Sequence, residues 1–170
     1  MHPIDTAVSL FSEGFTCSQA VLLAFAPRLG LDPVVAARIA SPFGGGIARQ
    51  GRVCGAITGA LMVVGLHAGN ATADDRAAKE AAYEKIRTLM AHFAEMHGTT
   101  ECRQLIGHDL STPDGYLAAT EAGVFRTRCP GFVRTAATLA GEIVDSGTRL
   151  SHRSLSAAIG STRAARRAGT

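Results

Sequence analysis

Four cysteines are the residues of this chain best suited to chemistry: Cys17, Cys54, Cys102 and Cys129. Thiolates bind soft metals and iron–sulfur clusters, and pairs of thiols form disulfides. No two of these cysteines form C-x-x-C, so the spacing does not indicate a zinc ribbon, a thioredoxin-type site or a ferredoxin cluster. C-x-x-C-H is absent too, so we expect no haem. Spacing alone fits four small buried hydrophobic residues as well as it fits a shared site.

The predicted helices favour a shared site, because each cysteine falls at a helix N-terminus. Thr16 and Gln19 form a predicted capping box around Cys17, and Cys129 directly precedes Pro130. Free N–H groups and the positive end of the helix dipole gather there, which favours a thiolate over a thiol. Arginines beside three of the cysteines act in the same direction: Arg52, Arg103 and Arg128.

A glycine-rich segment leads into Cys54. It lacks the G-x-x-x-x-G-K-[ST] phosphate loop and follows no strand pattern, so it gives only weak support for a nucleotide site. Its N–H groups suit a nest that closes over a thiolate or a cluster, which makes Gly45, Gly46 and Gly55 candidate cofactor-binding residues. Gly55 and Gly59 share one helical face and allow a second backbone to approach. For Gly59 we favour plain helix packing.

These residues together resemble a known family. The run Cys54-Gly55-Ala56-Ile57-Thr58-Gly59 gives C-G-A-x-x-G, and with three more widely separated cysteines it is similar to the small redox-active proteins called the C_GCAxxG_C_C family. The similarity extends from about residue 14 to 144 and includes residues 14–21, 43–46 and 102–105. The resemblance implies a compact helical domain and a redox or metal role for all four cysteines. It implies neither a reaction nor a substrate.

The elements that must position the cysteines are helical. An Ala- and Leu-rich chain with 5% aromatic residues favours helices over a sandwich or barrel. We predict an all-α fold, a compact bundle of about six or seven short helices with a glycine-rich loop and one long helix. The predicted helices cover residues 4–11, 17–29, 34–40, 54–66, 72 or 73 to 97, 101–106 and 132–144. Residues 107–128 are predicted to be mostly loop, with room for one helical turn.

The positive charge lies in a C-terminal tail. The whole chain carries +3, but residues 147–170 hold five arginines and no acid, which leaves residues 1–146 at −2. We therefore predict a four-cysteine domain over 1–146 and a basic, disordered tail over 147–170. The tail lacks interleaved aromatics, so we expect no nucleic-acid partner and no membrane binding beyond weak contact with anionic lipid.

The rest of the sequence points to the cytoplasm. Residues 1–10 lack the pattern of a secretory signal, and the apolar stretch 53–66 is shorter than the roughly 20 residues of a membrane span. Cytoplasmic thiols stay reduced, which favours metal or redox chemistry over structural disulfides.

Three hypotheses follow. We favour a redox protein whose four thiolates converge on one iron–sulfur cluster or other metal centre used for electron transfer. The alternatives are a metal-free thiol–disulfide protein and a zinc-bound helical interaction module. His67 and His108 are lesser candidate ligands. We expect Cys17, Cys54 and Cys102 to cluster and Cys129 to stand apart. The sequence does not identify the redox partner, and it does not decide whether the protein is an oxidoreductase or forms a homodimer.

Overall fold

The computed structural model describes residues 2–146, and the predicted tail, 147–170, lies outside the described residues. The regular elements within this range are helices. An isolated antiparallel β-bridge joins Val53 to Glu101. The all-α prediction is confirmed. The helices are α1 (Pro3–Ser12), α2 (Cys17–Phe25), α3 (Pro33–Ala40), α4 (Gly55–Ala68), α5 (Arg76–His97), α6 (Cys102–Ile106), α7 (Pro113–Glu121), α8 (Val124–Thr127) and α9 (Cys129–Ser146).

The core is built around α2 and α4, with α1 and α9 packed beside them. Phe25, Leu22 and Ile57 are almost completely buried there, together with many alanines. Small side chains let helix axes approach closely, so a chain with few aromatic residues can still fill its interior. Even the apolar α4 is short, and no helix within residues 2–146 combines the length and hydropathy needed to cross a membrane.

Gly59 lies where α2 and α4 meet. A Cβ at this position would lie 2.7 Å from the carbonyl oxygen of Ser18. The Ser18 hydroxyl, fully buried, donates a hydrogen bond of 2.8 Å to the carbonyl of Ala40, at the end of α3. Backbone contact between α2 and α4 therefore fixes the residue next to Cys17, in line with the packing role predicted for Gly59.

The prediction of a loop over 107–128 is wrong, because α7 and α8 occupy much of it. Thr112 caps α7 by accepting a hydrogen bond from the Gly115 N–H at 3.1 Å, and Pro113 occupies the first turn. The run Thr-Pro-Asp-Gly is typical of a turn, but here it begins a helix, since proline is well tolerated at a helix start.

Two other boundaries differ from the prediction. The second helix ends at Phe25, and a short 3-10 turn over Pro27–Leu29 leads to Gly30, whose φ of 71° ends the helical run. The long helix begins at Arg76, because the Asp75 side chain caps it by accepting from the N–H of Ala78.

Candidate functional site

The structure places every cysteine at a helix N-terminus, as the sequence predicts. Cys17, Cys102 and Cys129 are the first residues of α2, α6 and α9, and Cys54 is the N-cap of α4. The predicted capping box before Cys17 is also present. The Thr16 N–H donates to the Gln19 side chain at 3.0 Å, and the Thr16 hydroxyl accepts from the Gln19 N–H at 3.4 Å.

The four cysteines come together in space. The thiols of Cys17 and Cys129 hydrogen-bond to each other. Cys17 is near enough to Cys54 to influence its ionisation, and both Cys17 and Cys54 are near enough to Cys102 to influence that of Cys102. All four are free thiols; Cys17 is half-buried and the other three are buried. The expectation that Cys129 stands apart is therefore wrong.

Arg128 explains why Cys129 joins the cluster. Its guanidinium donates hydrogen bonds of 3.3 and 3.4 Å to the carbonyls of Leu105 and Ile106, at the C-terminal end of α6. A cation at this end of a helix satisfies carbonyls that lack intrahelical partners. The contact ties the start of α9 to the helix that begins with Cys102.

A short backbone pairing aligns Cys54 with Cys102. The Cys54 N–H donates to the Thr100 carbonyl at 2.9 Å, and the Cys102 N–H donates to the Arg52 carbonyl at 2.7 Å. These bonds flank the bridge between Val53 and Glu101. Two helices that begin far apart in the sequence thus start side by side.

The glycine-rich loop turns left-handed over residues 45–49. Their φ angles are 65° and 69° at the two glycines, then 64°, 48° and 65° at Ile47, Ala48 and Arg49. A left-handed conformation costs a non-glycine residue about 1–2 kcal/mol. Two backbone hydrogen bonds hold the turn closed. The Gly51 N–H donates to the Gly45 carbonyl at 3.2 Å, and the Arg52 N–H donates to the Gly46 carbonyl at 3.0 Å.

The three candidate cofactor-binding glycines lie against the cysteines. The N–H of Gly45 interacts with the Cys17 sulfur and partly offsets the rise in its pKa that Cys129 and burial cause. A Cβ on Gly46 would come within 2.7 Å of the Cys102 Cβ, and one on Gly55 within 3.3 Å of the Cys17 Cβ. These glycines therefore let the loop close over the sulfurs, while cofactor contact stays a prediction.

The cysteines ionise less readily than the sequence suggests. Burial raises the pKa of Cys54 to about 12, and the nearby Cys17 adds to this, although the N–H groups of Ala56 and Ile57 oppose it. Burial, followed by the charges of Cys54, Cys17 and Glu101, also raises the pKa of Cys102 to about 12. The hydrogen bond to Cys129 and burial raise the pKa of Cys17 well above its usual range. Desolvation and mutual repulsion outweigh the helix N-termini, so the expectation of resting thiolates is wrong for these three cysteines.

Two of the three neighbouring arginines have other partners, which is a second reason for this outcome. Arg103 forms an ion pair with Asp109 at 3.0 Å, and Arg128 is engaged with the carbonyls of α6. Adjacency in the sequence therefore did not place these cations against the sulfurs.

A cavity of about 780 Å³ opens beside the cluster, and Cys17, Cys102 and Cys129 line it. Aromatic side chains and two cations line it as well: Phe11, Phe15, Tyr116, Phe125, Arg49 and Arg126. Sequence reasoning missed these six residues. Phe15, two places before Cys17, was an available signal, whereas Tyr116 and Phe125 fall in the segment predicted as loop.

A family model described as "Putative redox-active protein (C_GCAxxG_C_C)" matches residues 15–143, which include all four cysteines. The chain belongs to the C_GCAxxG_C_C family. The match confirms the resemblance that the cysteines and the hexapeptide indicate. Comparisons with curated proteins and with solved structures found no match.

The motif that names the C_GCAxxG_C_C family can be read from this structure. Cys54 ends the backbone pairing and begins α4. Gly55 leaves space for Cys17, and Gly59 lets α2 approach α4. The hexapeptide thus sets the distance between the first two cysteines of the family pattern.

The donors of the cluster suit a soft metal or an iron–sulfur cluster, because all four are thiols. Across residues 2–146, no group of three or more His, Cys, Asp and Glu side chains is already arranged to hold a metal ion. The lesser candidates His67 and His108 are exposed and half-buried, respectively, and neither lines the cavity.

Proposed function

We propose that this protein is an electron-transfer protein in which Cys17, Cys54, Cys102 and Cys129 hold an iron–sulfur cluster. The observation that carries the proposal is the meeting of four helix N-termini, each bearing a cysteine, beside one cavity. When bound, an iron–sulfur cluster supplies one-electron transfer at a potential set by its surroundings.

The chain's own groups are suited to stabilise negative charge on sulfur. The N–H of Gly45 acts on Cys17, and the N–H groups of Ala56 and Ile57 act on Cys54. Such N–H contacts to cluster thiolates are a recognised means of tuning potential. Without a cation, the thiols of Cys54 and Cys102 keep their protons, first because burial disfavours the thiolate and second because each would repel a neighbouring charge. Loading would therefore release protons and become more favourable as pH rises.

The first experiment is anaerobic purification, followed by iron and acid-labile sulfide analysis and a visible absorption spectrum. We expect a brown protein with both elements, and a loss of most of the colour in each of the four Cys→Ser variants. Ser12→Ala is the control, because Ser12 lines the same cavity but is exposed and carries no thiol. A colourless, metal-free protein after anaerobic reconstitution would contradict the proposal. Stoichiometric zinc from iron-replete cells would favour the structural zinc module.

A second candidate is a metal-free thiol–disulfide protein, and the hydrogen bond between Cys17 and Cys129 favours it. Joining these sulfurs releases two protons and passes two electrons to an external disulfide, which becomes two thiols. Titration against glutathione, with disulfides mapped by peptide mass spectrometry, tests this candidate. It requires a reversible Cys17–Cys129 bond, and a chain that stays fully reduced would exclude it.

Both candidates need an external redox partner. The homodimer and the cytoplasmic location also stay predictions, and light scattering after size exclusion tests the first of them.

A further inference from the structure

The cavity beside the cysteines has the character of a small-molecule site. Its volume of about 780 Å³ falls within the range of roughly 300–1,000 Å³ that ligand pockets occupy. Phe11, Phe15 and Phe125 line it and remain only partly buried, although they pack against the core. Aromatic rings left partly open beside reactive groups offer a flat apolar ligand a surface to stack against.

The charge of the cavity is positive. Arg49 and Arg126 line it, and among residues 2–146 no aspartate or glutamate does. Neither arginine forms an ion pair with any residue between 2 and 146, whereas four other arginines each pair with a carboxylate: Arg28, Arg87, Arg103 and Arg134. An unpaired guanidinium at a cavity suits a carboxylate, sulfonate or phosphate, which it can bind through two parallel hydrogen bonds.

Arg49 is held in place from two sides. Its guanidinium carbon lies 4.1 Å from the centroid of the Tyr116 ring, a cation–π contact. Its backbone is in the left-handed turn, with a φ of 65°. Left-handed non-glycine residues persist only where the surrounding structure fixes them, and such strain concentrates at ligand sites. The fold therefore maintains an arginine here against a backbone preference.

We propose that this cavity binds a planar aromatic molecule that carries an anionic group. The ring lies among Phe11, Phe15 and Phe125, and the anionic group faces Arg49 and Arg126. The inference adds to the proposed function the class of small molecule that reaches the cysteines. A redox role for that molecule rests on the proposed function. The binding itself does not depend on which redox group the cysteines form.

A pair of fluorescent probes tests the charge requirement on the full chain as purified. The probes are 8-anilino-1-naphthalenesulfonate and its uncharged counterpart N-phenyl-1-naphthylamine. We expect Arg49→Gln and Arg126→Gln each to weaken sulfonate binding about fivefold, the size of one partly exposed ionic contact. Binding of the uncharged probe should change less than about twofold. Arg38→Gln is the control, because Arg38 is exposed on α3 and lies outside the cavity.

The position of the probe is tested through tryptophan, which this chain lacks. Tyr116→Trp puts a tryptophan at the cavity, and the matched control Tyr83→Trp puts one on the exposed side of α5. Bound sulfonate should quench the fluorescence more strongly in Tyr116→Trp, through energy transfer over the shorter distance. Equal quenching in both variants would overturn the proposal, as would sulfonate affinities that no cavity arginine alters.

The same samples keep the two proposals distinguishable. Protein that contains iron and sulfide but binds neither probe refutes the aromatic-anion site alone. Protein that binds the sulfonate at the cavity but shows neither a cluster nor a reversible disulfide refutes the proposed redox function and leaves the binding site standing.

Discussion

Gly59→Ala should destabilise the fold, although alanine is normally the better helix residue. In a helix interior, alanine is favoured over glycine by about 0.5–1 kcal/mol. At Gly59, however, the new Cβ would lie 2.7 Å from the Ser18 carbonyl oxygen and 3.0 Å from the Val21 Cβ. The first of these neighbours is backbone in a packed core, so α2 and α4 must separate. Overpacking of this kind costs about 1–3 kcal/mol, and we expect a net loss of about 1–2 kcal/mol in the free energy of unfolding.

Gly65→Ala is the matched control in the same helix. A Cβ there meets no atom within 4 Å, and the residue is exposed. The free energy of unfolding of this variant should rise by about 0.5–1 kcal/mol. Urea unfolding followed by circular dichroism at 25 °C measures both. If Gly59→Ala proves as stable as Gly65→Ala, α2 and α4 do not pack as closely as the structure indicates, and our interpretation of the second glycine of the hexapeptide is wrong.

Four further predictions concern the surroundings of the cysteines. In reduced, metal-free protein, Cys54 and Cys102, with pKa values of about 12, should react with iodoacetamide at least about 100-fold more slowly at pH 8 than in unfolded chain. The folded state binds these two protons more tightly than the unfolded chain does, so their contribution to stability is present below pH 9.0 and is lost as pH rises. The free energy of unfolding should therefore fall between pH 9.0 and about 12, and it should fall less in the Cys→Ser variants. Thr16→Ala should cost about 1 kcal/mol in urea unfolding while Thr16→Ser costs little, because only the hydroxyl caps α2; equal losses would contradict the capping role. Arg128→Gln should lower the free energy of unfolding by about 1 kcal/mol, against no measurable change for the exposed Arg87→Gln.

Much of the fold follows from local sequence signals. Apolar spacing and caps such as Thr16 and Asp32 locate most helices to within a few residues. The helices in segment 107–128 were not predicted, because the start of α7, Thr112-Pro113-Asp114-Gly115, uses the same residues as a turn. Local chemistry does not separate the two when the following helix has only a weak apolar face.

The site was predictable in its location but not in its chemistry. Placement of cysteines at helix starts depends on local signals, so it could be inferred. The pKa values depend on burial and on distances between residues far apart in sequence, as for Cys17 and Cys129. The partners of Arg103 and Arg128 are likewise set by tertiary packing. Those contacts decide whether a thiol ionises, and the order of residues along the chain does not reveal them.

The hydrogen bond between Cys17 and Cys129 has a consequence for biosynthesis. The first cysteine lies near the beginning of the described chain and the last begins its final helix. A nascent chain therefore carries Cys17 long before it can complete the set, and the third sulfur, Cys102, is made only shortly before the last. Synthesis proceeds at about 5–20 residues per second, so the earlier thiols spend seconds without their last neighbour. Any chemistry that needs all four sulfurs has to wait until Cys129 and α9 have left the ribosome, and a chain stalled before Cys129 lacks the last of the four.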